Sequence, residues 1–273
     1  MYKKIRGFTL IEMAIVLVVI GMIVGGITVG KTMLRQSQIN SVMMDAQRYI
    51  SAAVTFQQKY GSLPGDMANA TSYWGSMTSS GLTCPPAANS GPASGTQTCN
   101  GDGNGCIYCY GYSNAVSEAE PLYFWQHLAN AQLIQGNYTG IGLTTYNIGI
   151  NIPASRLHGL GIGITQMGVL ANGAAYASDT VFAGNYGHVM TLGAYQSYNS
   201  PVPAAAIMTT SEAQSFDSKY DDGAPATGNV LTWQNGSADA PNCASSTNPA
   251  TAVYNTGSSY PGPQCSLILI TGF

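Results

Sequence analysis

From Phe8 to Gly30 the chain runs for 23 residues with a single charged side chain, Glu12. At about 1.5 Å rise per residue this stretch, as a helix, crosses a hydrocarbon layer of roughly 30 Å. In lipid every backbone amide must find its partner inside the segment, so a helix is the conformation open to a lone apolar run of this length. Lys3, Lys4 and Arg6 precede it, which holds the short N-terminal segment in the cytoplasm and directs the chain beyond Gly30 outward.

The helix should outlast the apolar run. Ile39, Val42, Ala46, Tyr49, Ile50, Ala53, Val54 and Tyr60 recur at three- and four-residue steps and form an apolar stripe. Gln36, Gln38, Asp45, Gln47, Arg48, Gln57 and Lys59 fill much of the rest. No Pro interrupts residues 8–60, and Gly61 is a natural stop. Such a helix is about 80 Å long. Residues 8–30 belong to a membrane, and residues 31–60 pack on a globular part spanning 61–273.

Charge divides the chain at the same place. Seven of the nine basic residues precede position 60, and ten of the twelve acidic residues follow Tyr60, leaving a balance of −8 in the remainder. A surface of that sign repels phosphate backbones, so nucleic acid is not an expected partner. The charged fraction is 8%, yet 45% of residues are apolar and 17 are Tyr, which indicates a packed, loop-rich fold rather than disorder. The tyrosines serve as amphipathic packing residues, with a stacking or adhesive surface as the alternative.

All six cysteines, Cys84, Cys99, Cys106, Cys109, Cys243 and Cys265, lie in this exported part, and their even number points to disulfides. Cys106-x-x-Cys109 is followed by Tyr110, not the His of haem attachment, and the other spacings lack a zinc pattern. Cys84 and Cys99 would staple the polar loop of residues 75–105. Six cysteines allow fifteen connectivities, and spacing alone does not choose among them.

The positions around the start of the helix carry a motif. Lys3-Lys4-Ile5-Arg6-Gly7 is followed by Phe8-Thr9-Leu10-Ile11-Glu12, so a small residue stands before the apolar run and an acid stands five positions into it. An ordinary secretory signal has its small residues after the apolar run. The arrangement resembles the class III leader of type IV pilins and type II secretion pseudopilins. That resemblance implies a leader of residues 1–7, cut between Gly7 and Phe8 by a prepilin peptidase, and methylation of the new Phe8 amine. It also implies that Glu12 faces the Phe8 amine of a neighbouring subunit. On physical grounds too, a carboxylate in hydrocarbon needs a partner.

The implied role is a filament subunit without chemistry of its own: a pilin or minor pilin, with a secretion pseudopilin as the nearest alternative. Its partners would be itself or other pilins, the peptidase and an inner-membrane assembly platform. It would sit in the inner membrane as precursor and in an extracellular or periplasmic filament once assembled. A signal-anchored periplasmic enzyme or binding protein is the rival from another class. Many family members carry a Pro near the end of the apolar run; here Val29-Gly30 stands there, and Gly21, Gly25, Gly26 and Gly30 supply softness instead. Tyr60-Gly61-Ser62-Leu63-Pro64-Gly65-Asp66 resembles a Y-x-x-L-P-G-D turn of pilin-like proteins associated with type II secretion. In many pilins a C-terminal loop disulfide clamps the last strand, a role that falls to Cys243–Cys265; Cys84–Cys99 and Cys106–Cys109 are then the simplest remaining pairs.

The fold class expected is α+β: the long helix on a head with an antiparallel sheet and short extra helices. Helices are expected at Glu118–Ile134, ended by Gly136, and at Ser211–Tyr220, opened by a Ser211-Glu212-Ala213-Gln214 cap. Strands are expected at Tyr146–Ile152, Gly161–Leu170, Thr180–Ala183, His188–Tyr195, Ala205–Thr209, Val230–Gln234 and Leu267–Ile270.

Two acidic groups are candidate calcium ligands. Asn100-Gly-Asp102-Gly-Asn104-Gly105 matches the first half of an oxygen-ligand loop, with Gly111 where the closing Glu would be and Glu118 or Glu120 available to replace it. A plain Gly-rich turn is the alternative. Asp217, Asp221 and Asp222 form the second group. Pseudopilins that hold calcium in the C-terminal part of the head favour both. His127, His158 and His188 have no nucleophile partner in sequence, and no G-x-S-x-G, phosphate loop or H-E-x-x-H occurs, so no enzymatic activity is expected.

Overall fold

A computed structural model of the chain describes residues 9–80, 84, 95–108, 115–142, 146–169, 175–176, 181–195, 202–234, 241–257, 260 and 262–273. Helix α1 runs over Leu10–Tyr60, 51 residues without a break through Gly21, Gly25, Gly26 and Gly30. Gly61 closes it in the left-handed conformation (φ 71°), its N–H donating to the Gln57 carbonyl. The buried stripe of its second half is Ile39, Val42, Met43, Ala46, Tyr49, Ala52, Ala53 and Phe56. Val54, placed on the stripe by spacing, is exposed instead, while Phe56 is fully buried. Phe56 falls seven residues after Tyr49, so the helical period of the stripe includes it.

Helix α2 is a single turn, Thr71–Trp74, followed by a 3₁₀ turn at Met77–Ser80. Helix α3 covers Ala115–Asn130 and buries Leu122, Phe124, Trp125 and Leu128. Trp125 meets Tyr49 of α1 edge-on at 5.0 Å between ring centroids. The helix ends four residues before Ile134, and Gly136 is not its stop. Gln132 takes the left-handed position (φ 59°) and its N–H donates to the Ala129 carbonyl, while Leu133 N–H donates to that of Leu128. That pair of bonds is the glycine-type helix ending with Gln in place of Gly.

The sheet is antiparallel throughout. Strands β1 (Gly161–Val169), β2 (Ala175–Tyr176), β3 (Asn185–Gly193), β4 (Val230–Thr232) and β5 (Leu267–Ile270) lie in the order β2-β1-β3-β5-β4. Ile164 pairs with Met190, Val189 with Ile270 and Leu231 with Ile268, so the centre of the sheet is apolar. The sheet shares one core with the stripe of α1 and with α3. This is the α+β arrangement of a long helix on a sheet-bearing head. Helix α4 (Thr210–Tyr220) is capped by Thr209, whose hydroxyl accepts from Glu212 N–H while Glu212 reaches back to Thr209 N–H. The cap therefore sits two residues before Ser211, which lies inside the first turn.

Three expected strands are absent as ladders among the described residues. Tyr146–Ile152 is a turn with one isolated bridge between Ile148 and Ile152, and Ala205–Thr209 holds single bridges from Ala205 to Ala194 and from Met208 to Cys265. Of Thr180–Ala183, Thr180 lies outside the described residues and Val181 makes one bridge to Trp233. Their apolar residues reach the core from loops. Leu170 also lies outside the described residues; β3 begins three residues before His188, and β4 stops at Thr232.

Candidate functional site

The first half of α1 leaves the head entirely. Every residue from Leu10 to Val29 is exposed, including Leu10, Ile15, Leu17, Met22 and Ile23. Among the described residues α1 is the one helix long and apolar enough to cross a membrane. An uncovered apolar surface of this extent marks a contact with lipid or protein. At its start Thr9 caps the helix: Thr9 N–H and Oγ1–H donate to Glu12 Oε2 at 2.7 and 2.8 Å, and Glu12 N–H donates to Thr9 Oγ1 at 3.3 Å. The T-x-x-E spacing of this capping box is legible in Thr9-Leu10-Ile11-Glu12, and it gives Glu12 partners within its own chain. Gly7 and Phe8 lie outside the described residues.

A second feature lies at the far end of α1, where three segments interlock. The Leu63-Pro64-Gly65-Asp66 turn, the loop from Asn100 to Tyr108 and the first half of α3 meet with almost no space between backbones. A Cβ on Gly101 would stand 2.3 Å from the Gly65 carbonyl oxygen, and one on Gly65 would stand 2.6 Å from that of Glu120. Only glycine fits either position. Gly101 N–H donates to the Met67 carbonyl and Gly103 N–H to that of Asp66, both at 3.0 Å.

This interlocking brings Asp66, Asp102 and Glu120 together, each offering a carboxylate oxygen within 4.8 Å of the others. Asp66 is 3% exposed and Glu120 fully buried, whereas Asp102 is exposed. Glu120 accepts from Asp102 N–H at 3.0 Å and Tyr108 N–H at 3.3 Å. Asp66 Oδ2 accepts from Gly105 N–H at 3.0 Å; Oδ1 is buried and, among the described residues, receives no hydrogen bond. Burial, with the nearby Asp102 charge, pushes the Asp66 carboxyl up to about 6 and that of Glu120 up to about 9.

Of the loop residues proposed from sequence as calcium ligands, only Asp102 joins this cluster. Asn100 Oδ1 accepts from Thr71 N–H at 2.8 Å and so opens α2. Asn104 Oδ1 accepts from Cys106 N–H at 2.8 Å, and its amide donates to Asp102 Oδ2 at 3.0 Å. Both asparagines hold the loop. In sequence, Asp66 stands only as the end of the Y-x-x-L-P-G-D turn, whereas Glu120 is one of the two acids offered in place of the closing Glu, and it is Glu120 that joins the cluster.

Asp217, Asp221 and Asp222 also converge, but their oxygens serve the protein. Asp217 accepts from Tyr254 O–H at 2.9 Å and Gly223 N–H at 3.2 Å. Asp221 Oδ2 accepts from Asn229 and Val230 N–H, and Asp222 from Ala224 N–H and Thr227 O–H. This group pins the end of α4 to β4.

One family model matches, the prokaryotic N-terminal methylation motif, over residues 2–28. The chain carries the class III prepilin leader of type IV pilins and pseudopilins. No curated protein and no solved structure matches the chain. The exposed half of α1 is thus the segment that adjoins a prepilin leader, as in a membrane-anchored precursor.

Of the remaining sequence candidates in this prepilin-type chain, His127 and His188 are hydrogen-bonded within the fold. His127 Nδ1 accepts from Gly65 N–H at 3.0 Å, which makes Nε2 the donor toward Thr98 Oγ1 at 3.0 Å and the Cys99 carbonyl at 3.3 Å. His188 Nε2 accepts from Ile107 N–H, leaving Nδ1 to donate to the Phe273 carbonyl at 3.0 Å. His158 is exposed. Disulfides join Cys84 to Cys99 and Cys243 to Cys265. Cys106 is also disulfide-bonded, and Cys109 lies outside the described residues.

Proposed function

We propose that this chain is a structural subunit, a pilin or minor pilin, of a type IV pilus. Prepilin peptidase cuts between Gly7 and Phe8, the Phe8 amine is methylated, and the exposed half of α1 packs among the same helices of neighbouring subunits. The observation that carries this reading is the apolar surface of Leu10–Val29, uncovered by its own head and directly adjoining a prepilin leader. Before assembly that surface lies in the inner membrane; afterwards the helices of adjacent subunits cover it. Glu12 then exchanges its contact with Thr9 for the neighbour's Phe8 amine, or shares itself between the two.

A pseudopilin of a type II secretion system is the second reading, favoured by the Tyr60–Asp66 turn. Both readings share the anchor and differ in where the filament ends. Filaments sheared from the native host and analysed by mass spectrometry should contain the chain beginning at Phe8 and carrying one additional methyl group. Finding the processed chain only in the cell envelope selects the pseudopilin; finding it there still beginning at Met1 overturns both.

A further inference from the structure

The junction between the Leu63–Asp66 turn, the Gly-rich loop and α3 gathers three acids where the rest of the head is sparing with charge. Asp66 and Glu120 are buried, and Asp102 closes the group from the solvent side. The hydrogen bonds described for Asp66 and Glu120 come from backbone amides, which are neutral donors. The ion pairs among the described residues, Arg35–Glu212 and Arg48–Asp45, lie elsewhere. Buried carboxylates ordinarily pair with a cation or coordinate a metal.

The unsatisfied Oδ1 of Asp66 is the decisive detail. Its sister oxygen and both oxygens of Glu120 are held by amides, so the carboxylates are fixed in place. Oδ1 is enclosed and, among the described residues, accepts no hydrogen bond, not even from the nearby Gly103 and Asn104 amides. At the second acidic group of the head, each carboxylate is instead supplied by donors of the fold. A hard divalent cation satisfies an all-oxygen cluster of carboxyl groups of this kind, and calcium tolerates the irregular ligand geometry that a loop and a helix provide.

We propose that Asp66, Asp102 and Glu120 form a calcium site that locks the end of α1 to α3 through the Gly-rich loop. The site is distinct from the exposed face of α1 and stands whether the filament is a pilus or a pseudopilus. Extracellular modules bind calcium at about 0.1–1 mM, the range suited to a ligand set drawn from separate segments. Glu120 lies in the same helix as Trp125, which packs on Tyr49, so the ion would stiffen the contact between α1 and the head.

The test uses the full chain in detergent micelles, stripped with chelator and titrated with calcium chloride while thermal unfolding is followed. At about ten times the dissociation constant the midpoint should rise by about 2–4 °C. Asp102→Asn, at an exposed position, should abolish the rise, as should Glu120→Gln. Glu120→Gln should also lower the midpoint in chelator, because the Gln amide cannot accept from both Asp102 N–H and Tyr108 N–H, whereas Asp102→Asn should leave that midpoint nearly unchanged. Asp217→Asn should keep the calcium-dependent rise. No rise in the wild-type chain overturns the site, and so does a rise that survives in Asp102→Asn. A rise given by magnesium but not calcium overturns the assignment of the ion.

Discussion

Arg35 on α1 holds Glu212 on α4 with two hydrogen bonds, Nε to Oε1 at 2.8 Å and Nη2 to Oε2 at 3.2 Å. The same guanidinium donates to the Ile207 carbonyl at 2.8 Å. Glu212 Oε2 also accepts from Thr209 N–H at 2.9 Å, completing the cap of α4. One carboxylate therefore ties the long helix to the start of α4, at the level where α1 passes from exposed to buried.

Arg35→Met should weaken this junction by about 1–2 kcal/mol, the worth of a charge-assisted pair discounted for the partial exposure of Arg35. Burial raises the Glu212 carboxyl, but the Arg35 and Thr209 donors outweigh it and hold the group below its ordinary value. The stability it contributes is therefore present above the ordinary carboxylate range and lost as pH falls through the lowered value. Denaturant unfolding across acidic pH should show a smaller acid loss in Arg35→Met than in the wild-type chain. Equal losses would place the coupling elsewhere.

His127 gives a pH dependence in a different window. Complete burial holds it down to about 4, from an ordinary 6.5. The unfolded chain binds a proton in that interval and the folded chain does not, so stability rises with pH. Wild-type protein should lose up to about 3 kcal/mol between pH 6.5 and pH 4 from this group alone. His127→Asn keeps an acceptor for Gly65 N–H and should flatten that component, as read by unfolding at about pH 7 and pH 4.5.

The Cys243–Cys265 bridge closes a separation of 22 residues and ends two positions before β5. A loop of that size contributes about 3 kcal/mol through the unfolded chain. The paired variant Cys243→Ala/Cys265→Ser should lose about that much and free the C-terminal strand first. Hydrogen exchange at Leu267–Ile270 would register this as a larger loss of protection than at β1, whereas uniform loss would show that the bridge does not specifically hold the strand.

Local sequence signals carried the elements built from neighbouring residues. The apolar run, the three-and-four stripe of α1, its Gly61 stop and β5 were all legible, because each is decided within a few turns or a single alternation. The elements that escaped were decided at long range. Tyr146, Ile152 and Met208 are buried apolar residues with strand-like neighbours, yet each enters the core from a loop, since the ladder positions beside them are taken by β1, β3 and β5. The end of α3 escaped because Gln132 occupies a position that Gly usually marks. Within the candidate site, Asp102 stood in a recognisable Gly-rich pattern. Glu120 was offered by sequence beside Glu118 as the closing acid, but Asp66 meets Asp102 and Glu120 only because Gly65 and Gly101 allow backbones to touch, which no local pattern reveals.

The last prediction separates two roles of Glu12. Within its own chain the carboxylate accepts from Thr9 N–H and Oγ1–H, so its place near the start of the apolar run has an intrachain explanation in helix capping. In the proposed filament the same carboxylate also meets the methylated Phe8 amine of the next subunit, where charge matters as well as hydrogen bonding. Glu12→Gln retains an oxygen that can accept from Thr9 N–H but carries no charge, and Glu12→Leu removes both. Membrane insertion should survive in each, because removing a charge from an apolar helix favours its transfer to lipid. If pairing with the neighbour's amine drives assembly, both variants as sole copies should yield few filaments. A Glu12→Gln chain that assembles at the wild-type level, beside a Glu12→Leu chain that does not, would assign Glu12 to capping and remove the charge pair from the assembly step. The measurement is the filament yield in sheared fractions against the processed chain remaining in membranes, made without a wild-type copy that would coassemble and mask the loss.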